Sequence, residues 1–138
     1  MALTAVYLAD KSALARMRVA AVRSRLEPLL VEGLVASCGI IDLEVGYSAR
    51  NSSMHEAVAT ERRSLPRAAL NDEVFDRALE VQGLLASRGK HRLPIPDLII
   101  AACAERAGLT VLHYDADFER IAGVTHQPHE WIVPRGTV

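Results

Sequence analysis

The sequence predicts an α/β fold of three layers, with helices on both faces of a central, mostly parallel twisted sheet, and three observations carry that prediction. Short apolar runs at residues 5–9, 34–38 and 109–113 are too uniform for half-exposed strands and suit buried parallel ones. The first two runs are each followed by a stretch with helical spacing and the third is preceded by one, and such alternation implies right-handed crossovers onto one sheet. At 138 residues the chain can bury one substantial core but not two, so residues 1–138 are expected to form a single domain.

The first run, 5–9, is closed by Asp10, which puts that carboxylate at a strand's carboxyl end. Residues 12–17 and 20–32 read as helix, because Val19, Val22, Leu26, Leu29 and Leu30 recur at helical spacing. Pro28 is expected to kink this element or to begin its final part, and Gly33 to end it. After the second strand, 34–38, and Gly39, the spacing of Ile41, Val45 and Ala49 predicts a helix over 41–50 with Glu44 in its first turns.

Residues 54–64 and 72–87 read as amphipathic helices, the second capped by Asn71 or Asp72 and stopped at Gly89, with Pro66 between the two. Residues 93–96 read as irregular and deliver Asp97 to the start of a nearly all-apolar helix over 98–107, which Gly108 terminates. The third strand, 109–113, runs straight into Tyr114, Asp115, Ala116 and Asp117. A last short edge strand is expected at 124–126, and the tail from residue 131 carries no signal.

Composition narrows the function classes. No apolar run approaches the roughly 20 residues that span a bilayer, so no membrane association is expected. The first ten residues lack a basic start and a cleavage-type site, which makes the cytoplasm the expected location. Cys38 and Cys103 lie in apolar stretches without metal-ligand spacing and read as reduced core residues. Sixteen Lys and Arg against seventeen Asp and Glu exclude a globally basic nucleic-acid binder. Local basic clusters do occur at 16–25, at Arg62, Arg63 and Arg67, and at Arg88, Lys90, His91 and Arg92. His126 and His129, three apart in a Pro-containing segment, read as structural or exposed rather than as a zinc pair.

In an open α/β sheet the functional crevice lies beyond the strands' carboxyl ends. That rule selects Asp10 and Asp115 at strand ends and Glu44 and Asp97 in the first turns of helices. Four carboxylates converging without Lys or Arg partners raise one another's pKa values, and a divalent cation relieves the cost. Oxygen-only ligands favour Mg²⁺ or Mn²⁺ over Zn²⁺. Ser12, two residues after Asp10, is placed to orient a carboxylate or a metal-bound water. The chemistry expected is in-line attack of activated water on a phosphodiester. Lys11, Arg16, Lys90 and Arg92 are the candidate RNA contacts at the rim, whereas Asp42, Glu56, Asp72, Glu73 and Glu119 read as surface. For a lone Asp at a strand end or helix start, Asp97 among them, capping is the more common explanation, so the site rests on the joint placement of the four acids.

Four segments in order carry a family resemblance: Tyr7-Leu-Ala-Asp10-Lys-Ser12-Ala-Leu, Ile41-Asp-Leu-Glu44, Pro96-Asp97-Leu-Ile-Ile-Ala-Ala102 and Leu112-His-Tyr-Asp115-Ala-Asp117-Phe118. Together they resemble the PIN-domain family and, within it, the VapC toxins of bacterial toxin–antitoxin pairs. The resemblance implies an endoribonuclease dependent on Mg²⁺ or Mn²⁺, with Asp10, Glu44, Asp97 and Asp115 as its acids and Asp117 as a fifth acting through water. It further implies a structured RNA substrate of the tRNA or rRNA class, a homodimer and a cognate antitoxin. Lys11 stands where the family commonly has a small hydroxyl residue, and His113-Tyr114 replaces the usual Thr-plus-polar pair.

Two other functions fit parts of the pattern. A receiver domain also carries strand-end acids and binds Mg²⁺, but this chain lacks the adjacent acid pair after the first strand and the Lys that closes a late strand. A non-catalytic RNA- or protein-binding module with the same fold would keep the acids and show no turnover.

Overall fold

A computed structural model of the chain describes residues 4–138. In chain order the elements are β1 (Tyr7–Ala9), α1 (Lys11–Leu14), α2 (Ala20–Val31), β2 (Val35–Ala36), α3 (Gly39–Tyr47), α4 (Ser52–Arg63), α5 (Asp72–Ala86), α6 (Ile95–Ala107), β3 (Thr110–His113), α7 (Ala116–Thr125) and β4 (His129–Trp131). The four strands form one sheet in the order β2-β1-β3-β4, and every neighbouring pair is parallel.

Strand periodicity divides the interior into two cores. Leu8, Ala36 and Val111 point to one face, where they pack with Ile41, Val81, Leu85, Ile100 and Phe118 from α3, α5, α6 and α7. Ala9 and Leu112, one residue further along, and Val35, one residue earlier, point to the other face and meet Ala13, Val22 and Leu26 from α1 and α2. Helices therefore cover both faces, giving the three layers expected from sequence.

Chain order fixes where the sheet opens. From β1 the chain crosses to β2 on one side, then returns past β1 to place β3 and β4 on the other. The carboxyl ends of β1 and β3, adjacent but leading in opposite directions, form the topological switch point at which α/β folds bind ligands. Asp10 leaves β1 there, its N–H donating to Leu112 O at 2.9 Å.

Several boundaries differ from the sequence reading for local reasons. The helix expected over 12–17 ends at Leu14, because the N–H groups of Arg16 and Met17 bond three residues back, to Ala13 and Leu14, and tighten the chain out of the helix. Pro28 sits inside α2, and the carbonyl that loses its partner belongs to exposed Ser24. The helix expected over 41–50 spans Gly39 to Tyr47, and α4 begins two residues before the expected 54 because Asn51 caps it through the Met54 N–H at 2.8 Å. Asn71 caps α5 in the same way through Val74, at 3.1 Å.

The segment 93–96 is not wholly irregular. Pro94 is the N-cap of α6 and Pro96 its second residue, where fixed φ helps and a missing N–H costs nothing. Gly108, at φ 70°, ends this helix in the left-handed conformation.

The edge strand expected at 124–126 is a correction. Val124 and Thr125 finish α7, whose apolar residues Phe118, Ile121 and Val124 recur every third position, and His126 closes it at φ 60°. The fourth strand is His129–Trp131 instead, and Ile132 and Val133 beyond it are buried against the α1–α2 face. Cys38 and Cys103 are free and buried, as expected. Among the described residues no helix is long and apolar enough to cross a membrane.

Candidate active site

Asp10 and Asp115 reach the switch point from the ends of β1 and β3, and each uses one carboxylate oxygen to cap the helix that follows. Asp10 Oδ2 accepts the Ser12 N–H at 3.0 Å, and Asp115 Oδ1 accepts the Asp117 N–H at 2.9 Å. A carboxylate has two oxygens, so capping leaves each residue a second one for a ligand. Asp97, third in α6, does not cap: its Oδ2 is buried and has no hydrogen-bond partner.

Asp97, Asp115 and Asp117 converge most tightly, each offering a carboxylate oxygen within 4.8 Å of the others. Asp10 stands close enough for its charge to act on both Asp97 and Glu44. The electrostatics record the crowding. The Asp97 carboxyl is pushed up to about 8, by burial first, then by the charges of Asp10, Asp115 and Asp117 and by its hydrogen bond with Asp117. An acid in a helix's first turn normally gains from the macrodipole, typically 0.3–1 kcal/mol, and here burial and like charge outweigh that. Burial likewise raises Asp10, although its bonds with Ser12 pull it back.

Glu44, half-buried on α3, stands outside that three-acid group, near Asp10 and Lys11. Burial raises its carboxyl, Asp10 raises it further, and Lys11 lowers it. Its Oε1 is inaccessible to water and without a partner. The orphaned Asp97 oxygen belongs to the group it forms with Asp115 and Asp117, a set of donors made only of oxygen. Such a set fits a hard divalent cation.

Supporting groups hold the strand ends. Ser12 Oγ accepts the Tyr114 N–H at 2.8 Å, which ties the start of α1 to the end of β3. The Asp115 N–H donates to His113 Nδ1 at 3.1 Å, and His113 Nε2 stands 2.9 Å from His129 Nδ1. Burial, with the nearby charge of His129, depresses His113 to about 4 and keeps it neutral. His129 thus has a structural role that its spacing with His126 did not specify.

Among the described residues none of Asp10, Glu44, Asp97 and Asp115 enters an ion pair, and the cations nearby act on their neighbours. Lys11 lies near Glu44 and 5.7 Å from the centre of the Tyr47 ring, and Arg120 Nη1 pairs with Asp117 Oδ1 at 2.5 Å. Arg120 escaped the sequence reading, although its position three residues after Asp117 on one helix is the usual spacing for such a pair. Arg16 is held by the Ser12 carbonyl at 2.7 Å and stacks 4.4 Å from the Tyr114 ring centre. Lys90 and Arg92 are exposed in the connection between α5 and α6.

Asp42, read as surface, is also corrected. It is half-buried and binds Ser37 Oγ at 2.7 Å, Arg62 Nε at 3.2 Å and Arg67 Nη2 at 2.5 Å. Burial alone would raise its pKa, and the bonds from Arg67, Ser37 and Arg62 hold it below the usual carboxylate range. The cluster at Arg62, Arg63 and Arg67 is therefore partly internal.

An acid cluster at the switch point of a parallel three-layer sheet is the arrangement of a PIN domain. The chain belongs to the PIN-domain family, whose model matches residues 7–124. Within the family its relatives are VapC ribonucleases. It is 53% identical over 137 residues to Ribonuclease VapC21 of Mycobacterium tuberculosis, covering 98% of this chain and 99% of that protein. It is 48% identical over 132 residues to Ribonuclease VapC51 of the same species, covering 96% of each. Its fold matches VapBC-1 from nontypeable Haemophilus influenzae with a TM-score of 0.72 at 15% identity, over 92% of this chain and 98% of that one. It also matches VapBC2 from Rickettsia felis, bound to a promoter DNA fragment, with a TM-score of 0.68 at 16% identity, over 91% and 97%. The receiver reading is set aside by this membership.

Proposed function

We propose that this chain is the toxin of a toxin–antitoxin pair, a cytoplasmic endoribonuclease that hydrolyses phosphodiester bonds of structured RNA and so inhibits translation. Asp10, Glu44, Asp97 and Asp115, with Asp117, hold Mg²⁺ or Mn²⁺. One observation carries the metal assignment: Asp97 Oδ2 is buried without a partner in a cluster of like charge, its carboxylate within 4.8 Å of those of Asp115 and Asp117. When bound, a divalent ion supplies Lewis acidity toward water and phosphate.

The chain's own groups do the positioning. Ser12 fixes Asp10 and, through the Tyr114 N–H, the end of β3. His113 takes the Asp115 N–H and sets that carboxylate's direction. Lys11 beside Glu44, Arg16 above Tyr114, and Lys90 and Arg92 are the cations that meet phosphate. The near-neutral net charge of -1 leaves RNA attraction to such local groups.

The matched VapBC complexes support a VapB-type antitoxin as partner, and the relatives' name of ribonuclease supports RNA as substrate, which we take to be of the tRNA or rRNA class. A homodimer completes the assembly. The test is incubation of a pool of structured cellular RNAs with Mg²⁺ or Mn²⁺, beside EDTA and Asp97→Asn controls, with the new ends read by sequencing. Discrete metal-dependent cuts absent from the variant are expected. Uncut RNA with metal binding retained would instead leave a binding module.

A further inference from the structure

The carboxylate cluster has a basic neighbour. Gly89, Lys90, His91, Arg92 and Leu93, from the connection after α5, line an open depression of about 570 Å³ together with Arg120 of α7. That volume falls within the roughly 300–1,000 Å³ of small-ligand sites. Lys90, His91 and Arg92 are exposed, and among the described residues none enters an ion pair. Other cations of the basic clusters are occupied internally: Arg62 and Arg67 by Asp42, and Arg25 by Glu130 and the carbonyls of Trp131 and Ile132. Arg120 is shared, because the guanidinium that lines the depression also pairs with Asp117, one of the three acids clustered within 4.8 Å.

Resting on the nuclease reading, we infer that this depression is the subsite for the RNA backbone phosphates that flank the scissile bond, and that Arg120 alternates between Asp117 and that backbone. A polyanion approaching five carboxylates meets repulsion, and its path requires cations at the rim. Lys90 and Arg92 provide fixed phosphate contacts at the far side. Arg120, about half exposed at 52%, screens Asp117 while the site is empty of RNA, and one turn of α7 carries both functions. When Asp117 has another cation to face, the Arg120 guanidinium is released to make a bidentate contact with phosphate.

The test separates this subsite from turnover. Binding of a fluorescein-labelled RNA hairpin to the full chain is followed in EDTA by anisotropy, across KCl from about 50 to 300 mM, so that the slope of log Kd against log salt counts phosphate contacts. The double variant Lys90→Gln with Arg92→Gln should reduce the slope by about 2, with roughly tenfold weaker binding at low salt; Arg120→Gln should leave it unchanged in EDTA, where Arg120 stays on Asp117, and reduce it by about 1 when Ca²⁺ replaces the EDTA. Arg63→Gln, exposed on α4, should leave the slope unchanged. Calorimetric titration with Mn²⁺ alone should show Arg120→Gln binding at least as tightly as the parent.

An unchanged slope in the double variant, or no hairpin binding by the parent, overturns the subsite. Loss of Mn²⁺ binding in Arg120→Gln overturns the alternation, since Arg120 would then be shaping the carboxylates. RNA that is cut while the slopes stay unchanged sinks the subsite and leaves the nuclease. Slopes that fall as expected on a chain that never cuts RNA do the reverse.

Discussion

His113 Nε2 and His129 Nδ1 stand 2.9 Å apart, joining β3 to β4 by a single side-chain hydrogen bond. Because the Asp115 N–H donates to His113 Nδ1, the His113 proton must lie on Nε2, and His129 accepts it. Both contacts need a neutral His113, whose folded pKa of about 4 lies below the ordinary 6.5. Its contribution is thus complete above pH 6.5 and is lost as the pH falls through 4. Thermal melts should show the parent losing on the order of 2 kcal/mol more than His113→Gln between pH 7 and pH 5. Equal losses would show that His113 is not the group responsible.

Asp97 has the opposite sign. Its carboxyl takes up a proton at about 8 in the folded chain against 3.8 ordinarily, so in the absence of metal it weakens the fold increasingly as pH rises from 3.8 to 8. Asp97→Asn removes that charge while keeping its shape. In EDTA at pH 7.5 the variant should be more stable than the parent, by on the order of 2 kcal/mol, while its RNA cleavage falls at least a hundredfold. Saturating Mn²⁺ should close the stability gap by stabilising the parent alone. A variant less stable than the parent in EDTA would contradict the strain assigned to this site.

Asp42 predicts a cost of a different kind. Arg62 is only 6% exposed, and Asp42 is the acid it pairs with. Asp42→Ala leaves a buried guanidinium with Ser37 Oγ and no counter-charge, which should cost roughly 3 kcal/mol in urea unfolding. Asp42→Ala combined with Arg62→Met should recover much of that loss, because the second change removes the stranded charge. A double variant no better than the single one would mean that packing, not charge, dominates there.

How far the fold was legible follows from these same residues. The parallel strands were readable because Leu8 and Ala9, or Val111 and Leu112, feed opposite cores and so are apolar in succession. β4 was not, since His-Glu-Trp has no apolar run and its pairing depends on His113 across the sheet. Asp10, Glu44, Asp97 and Asp115 stood out by their places at strand ends and helix starts. Asp42 did not, because its partners Arg62 and Arg67 lie 20 and 25 residues away and only the fold brings them together. Capping and ligand binding, alternatives when Asp10 or Asp115 is read alone, prove compatible once each oxygen is assigned.

Ser12 offers the sharpest separation of stability from site geometry. Its hydroxyl accepts the Tyr114 N–H at 2.8 Å and lowers the pKa of Asp10 beside it, so Ser12→Ala deprives a half-buried N–H of its acceptor and removes a polar neighbour of that carboxylate in the same step. The first effect should lower stability by about 1–2 kcal/mol. The second should weaken Mn²⁺ binding severalfold, as measured by calorimetry, because a carboxylate that wanders binds metal less well. Ser12→Thr keeps the hydroxyl and should restore Mn²⁺ affinity even where its extra methyl still costs stability. If Ser12→Ala lost stability but bound Mn²⁺ as tightly as the parent, Ser12 would be only a clasp between α1 and β3, and Asp10 would owe its position to the β1 backbone alone.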